Sequence, residues 1–217
     1  MTWFVKYLAT SIGKKQAMAV SGLLLCGFLV SHLSGNFLLF AGREAFNEYA
    51  DTLKSFGPLF YVAEVLLAAV FLIHIGLAVK LTAENRRARP VAYAVDGNRG
   101  ASTKASAHMF VSGGLILVFL LIHLWSFRLA DLSETTLYDV VMTKFQNPLY
   151  VLYYVFSSSV VGFHVWHGFQ SAFKSLGFDH PKYTPCLERL GKLFAVGMGA
   201  GYSSLPVWAC FLSGYGS

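Results

Sequence analysis

Charged residues are absent from long stretches of this chain. Residues 16–42, 105–127, 145–173 and 193–217 hold no Asp, Glu, Lys or Arg, and residues 55–79 are interrupted only by Glu64. Each stretch exceeds the roughly 20 residues a helix needs to cross a bilayer. The pattern predicts five transmembrane helices near residues 16–41, 58–81, 106–129, 147–173 and 190–212. The expected fold is therefore an all-α membrane protein, one five-helix bundle spanning residues 1–217 as a single domain. The opening MTWFVKYLATSIGKK lacks the basic start of a signal peptide, and the apolar run after it is too long for one. It reads as a short interfacial segment, with Trp3, Phe4, Tyr7 and Leu8 toward lipid and its lysines toward headgroups.

Composition agrees: 55% hydrophobic and 13% charged residues are too apolar a mixture for a soluble domain of 217 residues. Cys26, Cys186 and Cys210 lie far apart with no CxxC spacing. They support neither a disulfide framework nor a zinc or iron–sulfur site, and are expected to pack. No internal repeat or low-complexity segment stands out.

Orientation follows from the basic residues. Thirteen fall on the side of the N-terminus: Lys6, Lys14, Lys15, Lys80, Arg86, Arg87, Arg89, Arg99, Lys104, Lys174, Lys182, Arg189 and Lys192. Four fall on the other: Arg43, Lys54, Arg128 and Lys144. The positive-inside rule makes the N-terminus cytoplasmic. The net charge of +6 then calls for no nucleic acid: the basic face is topogenic or docks an acidic partner.

Histidine is costly in hydrocarbon and marks a functional position. His32, His74, His123, His164 and His167 all fall inside spans, distributed over four of the five helices. At about 1.5 Å per residue, His32 and His123 sit roughly 24–26 Å from the cytoplasmic end, and His74 and His164 roughly 10–14 Å. Two pairs result, each joining different helices at one depth. That is the requirement for bis-imidazole ligation of a b-type haem in a bundle core, one imidazole on each face. The arrangement points to two b haems with no open coordination position, and to electron conduction across the membrane. Gly27, Gly35, Gly76, Gly113, Gly114, Gly162 and Gly168 lie near these histidines. They make room for a flat macrocycle or serve ordinary helix packing, and the sequence leaves both open.

Several segments then carry a resemblance: SGLLLCGFLVSHLSGNFLLFAG, AFNEYADTL, NRRARPVAY, FLLIHLWSF and GFHVWHGFQSAFKSLGFDHPKY. In order and spacing, across nearly the whole chain, they resemble the cytochrome b558 membrane subunit of succinate dehydrogenases and fumarate reductases. The resemblance implies a dihaem anchor in a bacterial cytoplasmic membrane, binding a flavoprotein and an iron–sulfur subunit at its cytoplasmic face. It also implies electron exchange with a quinone, menaquinone by the family's guide. Carried over, His32 and His123 hold the outer haem iron, and His74 and His164 the inner one. Depth alone slightly favours His167 for the inner iron, whereas the family pattern matches His164 and places His167 near a propionate. Gly162 stands where some fumarate-reducing members carry a glutamate linked to transmembrane proton movement.

Other residues keep two readings each. Glu64, the one carboxylate predicted within a span, is a quinone-site candidate or an acid bonded to a neighbour near the outer interface. Glu188 is a second quinone-site candidate at the inner end of the last helix. Lys15, Gln16 and Lys174 lie at the level expected for inner-haem propionates, or flank the spans as topogenic residues. NRRARPVAY, residues 85–93, is a candidate contact for the iron–sulfur subunit, or plain positive-inside charge. His108 and His180 are expected at the interface. Two rival functions remain: the cytochrome b subunit of a hydrogenase or formate dehydrogenase, and a haem-free proton-linked transporter using the histidines and Glu64 as a relay.

Overall fold

The structure is a computed structural model that describes residues 2–88 and 108–215. It is 86% helical, with no strand among the described residues. The helices are α1 (Trp3–Ala9), α2 (Ser11–Asn36), α3 (Arg43–Ser55), α4 (Pro58–Ala88), α5 (Met109–His123), α6 (Leu137–Phe145), α7 (Pro148–Ser175) and α8 (Thr184–Phe211). A 3₁₀ segment, Phe37–Ala41, extends α2, and a π-helical turn, Leu124–Arg128, extends α5. With these extensions, five helices are long and apolar enough to cross a membrane, which makes this a multi-pass membrane protein.

Helix boundaries follow local chemistry. Thr10 caps α2 by accepting a hydrogen bond from the Gly13 amide. As a result α2 begins at Ser11, ahead of Lys14, Lys15 and Gln16, earlier than the uncharged run alone predicts. Lys14 is buried there and is neutralised by both carboxylate oxygens of Glu84 on α4. The expected run of lysines toward headgroups is corrected at this position, because a buried ammonium needs a counter-charge. Pro58 opens α4 and Pro148 opens α7, positions where a missing amide proton costs nothing. Gly57, at φ +55°, closes the turn between α3 and α4 by donating to the Lys54 carbonyl. α8 starts at Thr184, six residues ahead of the expected boundary, with Pro185 in its first turn. α1 is helical and leaves Trp3, Phe4, Tyr7 and Leu8 exposed, as an interfacial segment requires.

Two short helices absent from the sequence reading, α3 and α6, cover the end of the bundle away from the N-terminus, here termed outer. They are joined by Arg43 donating to Asp139 at 2.6 Å and by Asn47 accepting the Tyr138 amide at 3.1 Å. Thr136 and Tyr215 also donate to the Asp139 carboxylate. Beneath them Leu33, Leu39, Phe46, Met142, Phe145, Tyr154, Met198 and Leu205 form the main buried cluster.

α7 and α8 make the closest crossing. A Cβ on Gly162 would stand 3.0 Å from the Ala195 carbonyl and 3.5 Å from Gly199 Cα, so backbone meets backbone there. By contrast α4 has no buried residue along its 31 positions. Its ties to α2 include two polar links, Glu84 to Lys14 and His74 to Ser21. Among the cysteines, Cys26 and Cys210 are half-buried and pack as expected, but Cys186 is exposed.

Gly162→Leu is expected to destabilise the protein by about 1–3 kcal/mol through overpacking, measured as a lower unfolding temperature in detergent. Gly27→Ala, whose Cβ meets nothing within 4 Å, is expected not to lower it.

A candidate paired-histidine site

The outer level brings α2 and α5 together at their histidines. His32 and His123 have ring centres 5.9 Å apart and planes at 88°. Each rests on a phenylalanine one turn earlier in its own helix: Phe28 lies 5.2 Å from His32, and Phe119 5.6 Å from His123. The Tyr154 hydroxyl lies 3.2 Å from His123 Nδ1 and can accept its proton. Tyr154 in turn lies 3.3 Å from the Tyr150 hydroxyl, which donates to Ser126 Oγ at 2.7 Å. Ser126 belongs to the π-helical turn, closed by the Leu129 amide on the Leu124 carbonyl at 2.9 Å, immediately after His123. Such turns are a common way for a helix to end.

The inner level repeats one device twice. Ser21 on α2 donates to the Met18 carbonyl at 3.0 Å, and its oxygen lies 3.1 Å from His74 Nδ1 on α4. Ser112 on α5 donates to the Met109 carbonyl at 3.1 Å, and its oxygen lies 3.0 Å from His164 Nδ1 on α7. A hydroxyl has one proton, and each of these is spent on a carbonyl. Both contacts fit an imidazole that donates from Nδ1, the tautomer that leaves Nε2 as a lone pair. Gly22 and Gly113 make room for these rings: a Cβ would stand 3.3 Å from His74 Cε1 and 3.5 Å from His164 Cε1, respectively. His164 lies within electrostatic reach of both His74 and His167.

The same helices carry both levels. On α2 eleven residues separate Ser21 from His32, and on α5 eleven separate Ser112 from His123. Eleven residues make three turns, so serine and histidine share a face, and the levels lie about 16 Å apart along the axis. The sequences around them coincide: MAVSGLLLCGFLVSH (18–32) and MFVSGGLILVFLLIH (109–123) are identical at eight of fifteen positions. Lys54, Pro58, Leu59 and His74 recur ninety residues on as Lys144, Pro148, Leu149 and His164. The chain thus contains an internal repeat, α2–α3–α4 against α5–α6–α7. This corrects the sequence reading, which found none and so missed Ser21 and Ser112.

These donors suit two axial ligands on one metal. Imidazoles bound on opposite sides at about 2.0–2.1 Å each have ring centres about 6 Å apart, close to the spacing of His32 and His123. Both inner histidines have an Nδ1 partner, the outer hydrogen bond usual for ligating imidazoles. A Cβ at Gly27, Gly76 or Gly114 would meet nothing within 4 Å, so these glycines border open space and are not packing contacts. Gly35, crowded by Tyr49, and Gly162 are packing contacts. Among the described residues no three His, Cys, Asp or Glu side chains converge as a self-sufficient metal centre needs. His32 and His123 meet as a pair, and a haem would supply the remaining ligands itself.

The other predicted residues are dispersed. Glu64 is engaged by Arg128 through two hydrogen bonds, at 2.6 and 2.8 Å. Glu188 accepts from Lys174 at 3.0 Å, tying the inner ends of α7 and α8. Phe173 and Leu187, next to these two in sequence, help to line a cavity of about 360 Å³ together with Phe178, His180 and Tyr183. Gln16 accepts a hydrogen bond from Tyr7, and Lys15 is exposed. His167 is half-buried one turn inward of His164, whereas His108 and His180 are exposed. Of the NRRARPVAY segment, residues 85–88 end α4, where Arg86 lies over the Phe110 ring; residues 89–93 lie outside the described part.

Comparison of the chain with protein-family models, with curated proteins and with solved structures gives no match.

A double-mutant cycle on Glu64→Gln and Arg128→Gln is expected to give a coupling of roughly 0.5–1 kcal/mol, the range for a half-exposed pair, when thermal unfolding is followed in detergent. Additivity of the two substitutions would show the pair to be idle.

Proposed function

We propose that this chain is a dihaem cytochrome b, the membrane-anchor subunit of a succinate:quinone oxidoreductase or quinol:fumarate reductase. The observation that carries the proposal is the meeting of His32 and His123, from separate helices, at the spacing two axial imidazoles need. The inner histidines support it, each with Nδ1 committed to a serine and Nε2 left for a metal. The resemblance of the histidine-bearing segments to the cytochrome b558 subunits selects this reading over other b-type cytochromes.

In this reading His32 and His123 hold the outer haem, and His74 and His164 the inner one. His164 is preferred because it shares the serine arrangement of His74 and matches the family pattern. A b haem held by these residues would supply a one-electron couple. The protein's own residues fix ring orientation through Ser21, Ser112 and Tyr154, and pack the outer rings on Phe28 and Phe119. Lys15, Gln16, His167 and Lys174 stand at the inner end, where propionates need cations and donors. Lys174 already binds Glu188, so it is shared with that carboxylate.

The chain sits in a bacterial cytoplasmic membrane with its N-terminus inside, as its thirteen inner and four outer basic residues favour. Its inner face receives the iron–sulfur and flavoprotein subunits, where dicarboxylate chemistry takes place. The membrane side exchanges electrons with menaquinone. Glu64 and Glu188 are the candidate carboxylates for that exchange.

Haem content by pyridine haemochrome tests the proposal. Two b haems per chain are expected in the wild type, with one lost in His32→Ala or His123→Ala. The other is expected to be lost in His74→Ala or His164→Ala, and both kept in His167→Ala. Well-folded wild-type protein without haem would overturn the reading and favour the proton-linked transporter.

A further inference from the structure

The internal repeat assigns work to residues other than the histidines. In each copy of the motif M-x-V-S-G-x-L-x-x-x-F-L-x-x-H, every identical polar position meets one of the two histidine levels. The methionine carbonyl takes the serine proton, and the serine oxygen takes the Nδ1 proton of a histidine on the following long helix. The glycine clears that ring, the phenylalanine supports the terminal histidine, and that histidine belongs to the other level. One helix face thus serves both levels, and each half of the chain contributes one histidine to each.

We propose that Ser21 and Ser112 are a matched pair of positioning residues: each locks the Nδ1–H tautomer of its histidine, His74 or His164, so that two Nε2 lone pairs are offered to one inner haem iron. The proposal rests on the dihaem reading for the identity of the metal; for the tautomer it rests on the contacts with Ser21 and Ser112, with the Met18 carbonyl as a second acceptor beside His74. Both serines are 5% exposed, so water does not replace them as acceptors. Their oxygens also make the ligands more basic. A ring that shares its Nδ1 proton carries more negative charge on Nε2 and favours ferric over ferrous iron. The outer level uses a different partner, the Tyr154 phenol beside His123, while on the His32 side the Asn36 amide lies 3.4 Å from the ring nitrogens. The repeat therefore gives symmetric support to the inner pair and asymmetric support to the outer pair, a difference in second-sphere chemistry that can separate the two haem potentials.

The test uses Ser21→Ala, Ser112→Ala and the conservative Ser21→Thr and Ser112→Thr in the purified full-length protein. Haem per chain, redox titration of the resolved α-bands and the unfolding temperature are measured together. Each alanine variant is expected to raise the inner midpoint and weaken inner-haem retention roughly 10–100-fold, with the outer haem unchanged. Threonine, which keeps the hydroxyl, is expected to restore both. Alanine variants with wild-type midpoints and haem retention would overturn the proposal and leave the serines as packing residues. Wild-type protein devoid of haem would overturn the dihaem reading instead. In that case ¹⁵N shifts of His74 and His164 decide the serines' part: an Nδ1–H tautomer lost in the alanine variants upholds it, and unchanged shifts overturn it.

Discussion

An imidazole placed in hydrocarbon has two nitrogens to satisfy, and the organisation of this protein follows from how that demand is met. Water is absent at that depth, so each ring nitrogen must find a partner in the protein or in a bound group. At His74 and His164 one nitrogen is settled by a buried serine whose own proton is already spent. An Nδ1–H ring in that position keeps a lone pair on the other nitrogen. Two such rings on separate helices, together with a second pair whose centres stand 5.9 Å apart, are the arrangement from which the dihaem proposal is drawn.

The repeat explains how one short motif produces this. Eleven residues bring a serine and a histidine onto the same helix face at two depths, and duplicating that face on α2 and α5 makes both levels two-sided. The second long helix of each half, α4 or α7, then needs to supply only one histidine. α4 shows the consequence most clearly. It buries none of its residues, and its polar links to α2 lie at His74 and Glu84. α7 differs because α8 lies against it through Gly162 and Gly199. The bundle is thus tight on one side and open on the other, and the open side includes the faces of Gly27 and Gly76.

The five spans were legible in the chain because uncharged runs of this length have no other stable home in water. Their ends were less legible, since Lys14 lies within α2 only by virtue of Glu84, seventy residues away in sequence. α3 and α6 were missed because thirteen and nine residues of mixed polarity look like connectors until their outer-end partners are known. The approach of His32 to His123 was readable as a shared depth, which counting residues measures well. The serines were not readable, because a serine in a membrane helix looks like any small packing residue. The repeat was hidden by the lipid-facing positions between its identities, which are free to vary. The glycines split for a similar reason: Gly35 and Gly162 are packing contacts and Gly114 is not, a distinction that requires knowing which helix lies opposite.

The most direct measurement is low-temperature electron paramagnetic resonance of the oxidised, purified protein, with spins counted per chain. The account predicts two low-spin ferric haems, each with two imidazole ligands. The outer one should show the strong anisotropy expected of nearly perpendicular ring planes, as His32 and His123 have here. A folded protein that shows no haem signal, or a high-spin haem with an open coordination position, would contradict it.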